Sequence, residues 1–223
     1  MVEGVDRALL FGASGGIGSA LADALSGTDL TTLSRSRDGF DLTDEASIAD
    51  AAARIHGSFD LIVDATGALE IAGNGPEKAL DDIDPGAMAA QFAANAIGPA
   101  LLLKHFAPKL AKDRRAVFAT LSARIGSIGD NRLGGWYSYR ASKAALNQIV
   151  RTAAIEIARR RPQAVVLALH PGTVETALTA RYLGHRPAVT PAKAATNLLK
   201  VIAGLGPAES GGFFAWDGKP IPW

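Results

Sequence analysis

The chain has 223 residues, 48% hydrophobic and 20% charged, which excludes intrinsic disorder and fits a single domain, residues 1–223, with a sizeable core. Its 23 Lys and Arg stand against 22 Asp and Glu, a net charge of +1, so no overall field draws it to nucleic acid or to a membrane surface. Cysteine is absent, which excludes disulfides, zinc-thiolate sites and thiol nucleophiles. The opening "MVEGVDRALLFGASGG" has too short an apolar run, preceded by acidic groups, for a signal peptide, and no stretch approaches a membrane span. A cytoplasmic protein recognising its partners locally is expected.

In chain order, the apolar run "ALLFG" leads directly into "GASGGIGSALADAL", a glycine-rich turn that becomes an apolar helical pattern. Glycine there permits tight turning and close approach of backbone to a diphosphate, and the helix start offers free N–H groups and a positive dipole end. Position 21 is Leu, so strict GxGxxG is absent; the spacing is GxxxGxG at Gly12, Gly16 and Gly18, and Gly15 also permits GxxGxxG. The next run, "LTTLS", ends in "RSRD". Too little chain follows for a crossover helix before "FDLTD", so a very short strand near Gly39–Leu42 and a minimal sheet edge are expected.

"FDLIVDATG", "RAVFATLS", "AVVLALHPG" and "GGFFAWDG" supply the remaining strands. All the runs are continuous rather than alternating, as strands covered on both faces are. Alternation with helical patterns predicts an α/β fold with a doubly wound parallel sheet, a Rossmann-like three-layer α/β/α sandwich. The helix after Asp84, its N-cap, and Pro85, its first residue, contains Pro99. Proline has no N–H, so the carbonyl of Asn95 loses its helical partner and is free to take up water. Further on, "YRASK" puts Tyr139 and Lys143 four apart, roughly 400° around a helix, so both rise from one face; Tyr137 points elsewhere.

The GxxxGxG turn, Asn95, and a YxxxK about 120 residues beyond the turn resemble the short-chain dehydrogenase/reductase family over essentially the whole chain, and its C-factor-like subgroup most closely. The extended, epimerase-like branch carries a substrate domain for which this chain has no room. Two departures stand out: Phe11 replaces the usual threonine, and "DATG" (Asp64 to Gly67) replaces NNAG.

The resemblance implies reversible hydride transfer between a nicotinamide and a small-molecule carbonyl/alcohol substrate. Tyr139 would be the acid/base, Lys143 would lower its pKa and hold the nicotinamide ribose, and Asn95 would hold water in a proton relay. A phenol titrating near pH 10 needs such a cation to work around neutrality. Cofactor contacts would come from Gly12, Ser14, Gly15, Gly16, Ile17 and Gly18; from Asp41 and Leu42 at the adenine; from Ala65, Thr66 and Gly67; and from Pro171, Gly172, Val174 and Thr176, besides Asn95, Tyr139 and Lys143. Where the second strand ends, an acid would read a free 2′-OH and a base a 2′-phosphate. Ser34 and Arg35 stand there, with Arg37 near, so NADP(H) is favoured over NAD(H).

The family's serine on the substrate oxygen has three readings. "LSARIGSIG" offers Ser122, the first choice, then Ser127, then no serine, because the residue after Ser122 is Ala123. The segment after Pro171 and Gly172 should cover the pocket, with Tyr182 and Trp136 facing the ligand. A homodimer or homotetramer across the helices of Asn95 and Tyr139 is implied. The four histidines, at 56, 105, 170 and 185, have no metal-ligand spacing. Isomerase or dehydratase chemistry and a non-catalytic dinucleotide-sensing protein are the alternatives.

Overall fold

The computed structural model describes residues 4–184 and 187–223; His185 lies outside them. Strands β1 (Arg7–Phe11), β2 (Asp29–Leu33), β3 (Leu61–Asp64), β4 (Ala116–Leu121), β5 (Ala164–His170) and β6 (Phe213–Ala215) form one sheet in the order β2-β1-β3-β4-β5-β6. Every pairing is parallel. Successive side chains of a strand leave on opposite faces. Leu9, Phe11, Ile62, Phe118 and Val166 meet helices α3 (Glu45–Arg54), α5 (Gly98–Phe106) and α6 (Tyr137–Ala158) on one side. Leu10, Val63, Val117 and Leu167 meet α1 (Gly16–Ala24) and α7 (Pro191–Gly204) on the other. This is the doubly wound three-layer sandwich that the continuous apolar runs imply.

The short strand expected near Gly39–Leu42 does not form. Instead Arg35–Asp38 make one helical turn, α2, Gly39 turns left-handed, and Phe40 goes inward to stack on Phe11 at 5.5 Å between ring centroids. Burying a phenylalanine is worth about 1.5–3 kcal/mol; Phe40 takes that burial and β2 is the edge.

Asp84 caps α4 (Pro85–Phe92) by accepting from the Ala87 N–H at 2.7 Å, with Pro85 in the first turn. Between α4 and α5 the backbone is π-helical over Ala93–Ile97, and the Gly98 N–H reaches back to the Ala93 carbonyl. The irregularity that Pro99 imposes is absorbed there as a π-bulge, a form frequent at functional sites. Contrary to expectation, the helical run Pro85–Lys109, 25 residues with hydropathy 1.3, is long and apolar enough to cross a membrane. Its apolar residues serve the sandwich: Leu102, Leu103 and Phe106 are buried against the sheet and α6, beside buried Gln91 and Asn95.

Candidate active site

At the end of β1 the chain turns through Gly12, whose φ of +81° suits glycine; a Cβ there would lie 2.8 Å from the Ala65 carbonyl oxygen. A side chain at Gly18 would overlap the Gly12 carbonyl. Both glycines therefore let α1 sit against the strand ends, and α1 begins with no side-chain cap, its first N–H groups turned to the crevice. The strand order reverses between β1 and β3, where open α/β sheets bind ligands. A cradle of backbone donors with no room for a Cβ fits a dinucleotide diphosphate.

A cavity of about 730 Å³ opens at the carboxyl ends of β1, β3, β4 and β5. Of the residues expected from sequence, Ser14, Gly15, Gly16, Ile17, Gly18, Ala65, Thr66, Gly67, Ser122, Tyr139, Lys143, Pro171, Gly172, Val174 and Thr176 all line it. Gly12 lies beneath the turn, and Ser34, Arg35, Asp41, Leu42 and Asn95 stand outside the lining. Ser34 is buried, and its N–H donates to the Asp38 carboxylate at 2.7 Å and its hydroxyl to the same oxygen at 3.2 Å. Asp38, which the sequence reading missed, thus engages both donors of Ser34. Asp41 accepts from the Thr43 N–H and hydroxyl, both at 2.8 Å, and the Thr43 bonds hold its carboxyl below the usual range. Leu42 packs against Gly98, where a Cβ would collide with it.

Tyr139 and Lys143 lie in the first two turns of α6 and share the cavity, as their spacing predicts. Lys143 Nζ is 6.0 Å from the Tyr139 ring centroid and donates to the Leu121 carbonyl at 2.9 Å. Burial pushes the Lys143 ammonium down to about 8, opposed by the charge of Asp64. Burial also pushes the Tyr139 phenol up to about 12. With the Lys143 ammonium bonded to the Leu121 carbonyl, desolvation is what moves the phenol.

Asn95 is fully buried and clamps the backbone after β3. Its Oδ1 accepts from the Ala68 N–H at 2.9 Å, and its Nδ2 donates to the Ala68 carbonyl at 2.8 Å and to Gln91 Oε1 at 2.6 Å. Gln91 in turn donates to the Leu69 carbonyl at 2.8 Å. Asn95 thus lies close behind Gly67: an added Cβ there would be 3.2 Å from its Oδ1 and 3.4 Å from Lys143 Nζ. Gln91, one turn before Asn95, was not singled out from the sequence.

Ser122 lines the cavity, but its hydroxyl donates to Asn147 Oδ1 of α6 at 2.6 Å, so its proton is turned inward. Ser127 donates to the Pro222 carbonyl at 2.5 Å and stands outside the cavity lining, whereas Ala123 lines it. Asp64, the departure in "DATG", accepts from Thr120 at 2.6 Å and from the Thr66 N–H at 2.9 Å, and also from the Thr66 hydroxyl. Burial raises its pKa against those bonds and the charge of Lys143.

The start of α6 also holds a feature that local sequence does not reveal. Trp136 precedes the helix with φ +55° and supplies no cap; Glu77, from the β3–α4 connection, accepts from the Ser138 N–H at 3.2 Å and from its hydroxyl. Among the described residues no three His, Cys, Asp or Glu cluster as a metal site would need.

The geometry can be set beside known proteins. The family model for short chain dehydrogenase matches residues 38–186. C-signal of Myxococcus xanthus is 39% identical over 147 residues, 65% of this chain and 84% of that protein. The 1-hydroxy-2-glutathionyl-2-methyl-3-butene dehydrogenase of Rhodococcus sp. is 33% identical over 185 residues, 83% of this chain and 79% of the relative. Among solved structures, the NADPH-bound carbonyl reductase from chicken fatty liver superposes with TM-score 0.84 at 26% identity, covering 98% of this chain and 94% of that one. On these matches the chain belongs to the short-chain dehydrogenase family, in its C-factor-like subgroup.

Proposed function

We propose that the protein is an NADP-dependent oxidoreductase acting on a carbonyl/alcohol pair, with Tyr139 as the acid/base. The observation that carries this reading is the convergence of the glycine turn, Tyr139 and Lys143 on one cavity with Pro171 and Gly172. The NADPH-bound reductase of the same fold supports the cofactor. Gly15 to Gly18 would hold the diphosphate, Arg35 and Arg37 the 2′-phosphate, and the β5–α7 segment from Pro171 to Thr176 the carboxamide. When bound, NADPH supplies the hydride to the substrate carbon.

The protein's own residues handle the proton. A phenol at about 12 is a neutral donor at physiological pH, suited to giving its proton to the oxygen of a carbonyl being reduced. In the other direction Tyr139 must act as a base, and the ammonium of Lys143, released from Leu121, lowers the cost of the phenolate. After reduction Tyr139 would recover its proton from Lys143, and Lys143 its own from a water at the Asn95 carbonyl, which Pro99 leaves without an N–H partner; oxidation would run the same relay outward. Ser122 reaches a substrate oxygen only by giving up Asn147, so Tyr139 is the principal donor. A homodimer across α4–α5 and α6 accords with the exposure of Ile97 and Ile155 on those helices.

The deciding experiment follows NADPH oxidation against a panel of aldehydes and ketones, with Tyr139→Phe as control. NADP(H) binding with no turnover on any carbonyl would favour the dinucleotide-sensing alternative. Conversion of a substrate without net change of cofactor would favour an isomerase or dehydratase.

A further inference from the structure

Beyond the cofactor half, the cavity is closed by Leu133, Trp136, Leu178, Tyr182 and Arg132. Gly134, Gly135 and Trp136 are three successive left-handed residues, at φ +65°, +64° and +55°. For a tryptophan this conformation is strained and persists only when the surroundings hold it. They do. The Trp136 N–H donates to the Glu77 carbonyl at 2.5 Å, and its ring meets Tyr139 edge-on at 6.2 Å and Tyr182 at 5.2 Å. The Tyr182 hydroxyl is drawn away to Glu70 Oε1 at 2.6 Å, outside the cavity lining, so Tyr182 contributes mainly ring.

The charges at this end are unequal. Arg124 is paired with Asp130 at 2.8 Å. Arg140 is committed to the carbonyls of Gly135, Ile125 and Gly134. His170 is neutral near pH 7, since burial pushes it down to about 4. Arg132 is exposed, lines the rim, and bonds only its neighbour, the Asn131 carbonyl, at 3.1 Å. An apolar aromatic wall beside the acid/base, with one cation at its edge lacking a carboxylate among the described residues, is complementary to a particular ligand shape.

We propose that the substrate is a carbonyl compound with a flat apolar body that packs against the Trp136–Tyr182 ring pair and a carboxylate that pairs with Arg132. This rests on the reductase reading for the reaction but not for the binding.

The test uses a matched pair, 4-acetylbenzoate and its methyl ester, with the NADPH-loaded protein. The acid exceeds the ester in kcat/KM by roughly tenfold or more, the worth of one hydrogen bond to a charged group. Arg132→Gln brings the ratio to about one, and Arg132→Lys retains most of it. Trp136→Gly keeps the left-handed backbone, removes the ring, and raises KM for both compounds while preserving their ratio. Calorimetric titration of the NADP⁺ complex with 4-acetylbenzoate reads binding separately. Arg132-dependent binding without oxidation of NADPH would uphold the site and overturn the reductase reading. NADPH oxidation with an acid-to-ester ratio near one that Arg132→Gln leaves unmoved would overturn the site and uphold the reductase. Failure of the acid to bind would overturn the site as well.

Discussion

At the cofactor end of the cavity the wall is backbone, held by Gly12 and Gly18 against the ends of β1 and β3, with no space for one added carbon. At the substrate end the wall is side chain, with Trp136 and Tyr182 held by Glu77 and Glu70, residues 59 and 112 positions away in sequence. The first wall would meet what every dinucleotide has in common, a diphosphate, and it has no space to change shape. The second can change its rings without unfolding the sheet, and its position depends on anchors outside the cavity. On the proposed reading, the cofactor would meet fixed backbone and the substrate side chains held on a remote frame.

The largest effects come where the two walls meet, at the acid/base. Tyr139→Phe lowers turnover by about 10²–10⁴-fold, and Lys143→Ala costs far more than Tyr137→Phe, which lies outside the cavity lining. Steady-state NADPH oxidation at saturating cofactor measures this; equal losses at Lys143 and Tyr137 would deny the pair its role.

Gly12→Ala and Trp136→Gly contrast the walls directly. The alanine is forced into a left-handed conformation against Ala65 and loses about 1–3 kcal/mol of stability, with cofactor affinity falling alongside. The glycine accepts the conformation that Trp136 strains to hold, so stability stays within about 1 kcal/mol of the parent. Urea denaturation of both variants checks the pair, and a larger loss at Trp136 would mean that its ring, not its backbone, fastens α6.

Ser122→Ala strips a buried Asn147 oxygen of its donor and costs about 1–3 kcal/mol, while turnover falls by less than about tenfold, below the 10²–10³ typical of losing a donor at a developing charge. A loss in kcat of a hundredfold with unchanged denaturation midpoint would instead give Ser122 the substrate oxygen.

The burial of the acid/base pair is also readable in pH. Lys143 titrates at about 8 in the folded chain against an ordinary 10.5. Between those values the unfolded chain holds more proton, so stability rises with pH, by at most about 1.4 kcal/mol per unit. Tyr139, at about 12 against 10, reverses the slope above pH 10, because there the folded chain holds more. Relative to Lys143→Met, the ligand-free protein gains stability from about pH 8 to 10; parallel curves would show that the lysine is not desolvated.

The smallest effect lies at the 2′-phosphate. Asp38→Asn removes a carboxylate from Ser34 and raises the preference for NADP over NAD by a few-fold, whereas Arg35→Asp lowers it. Binding constants for both cofactors decide this, and an unchanged ratio in both variants would put the phosphate elsewhere.

Sequence by itself determined the features with short-range causes. Six apolar runs bounded by turn residues became six strands, Asp84 and Pro85 began their helix, and Tyr139 and Lys143 shared a face because helical pitch leaves them no choice. Tertiary structure decided what depends on competition between distant groups. Phe40 chose the core beside Phe11 over an edge ladder, Ser122 turned to Asn147, and Glu77 capped a helix whose own first residues have no cap. Each of these is settled by which partner comes into contact once the sheet has formed, and spacing along one chain carries no signal of that distance.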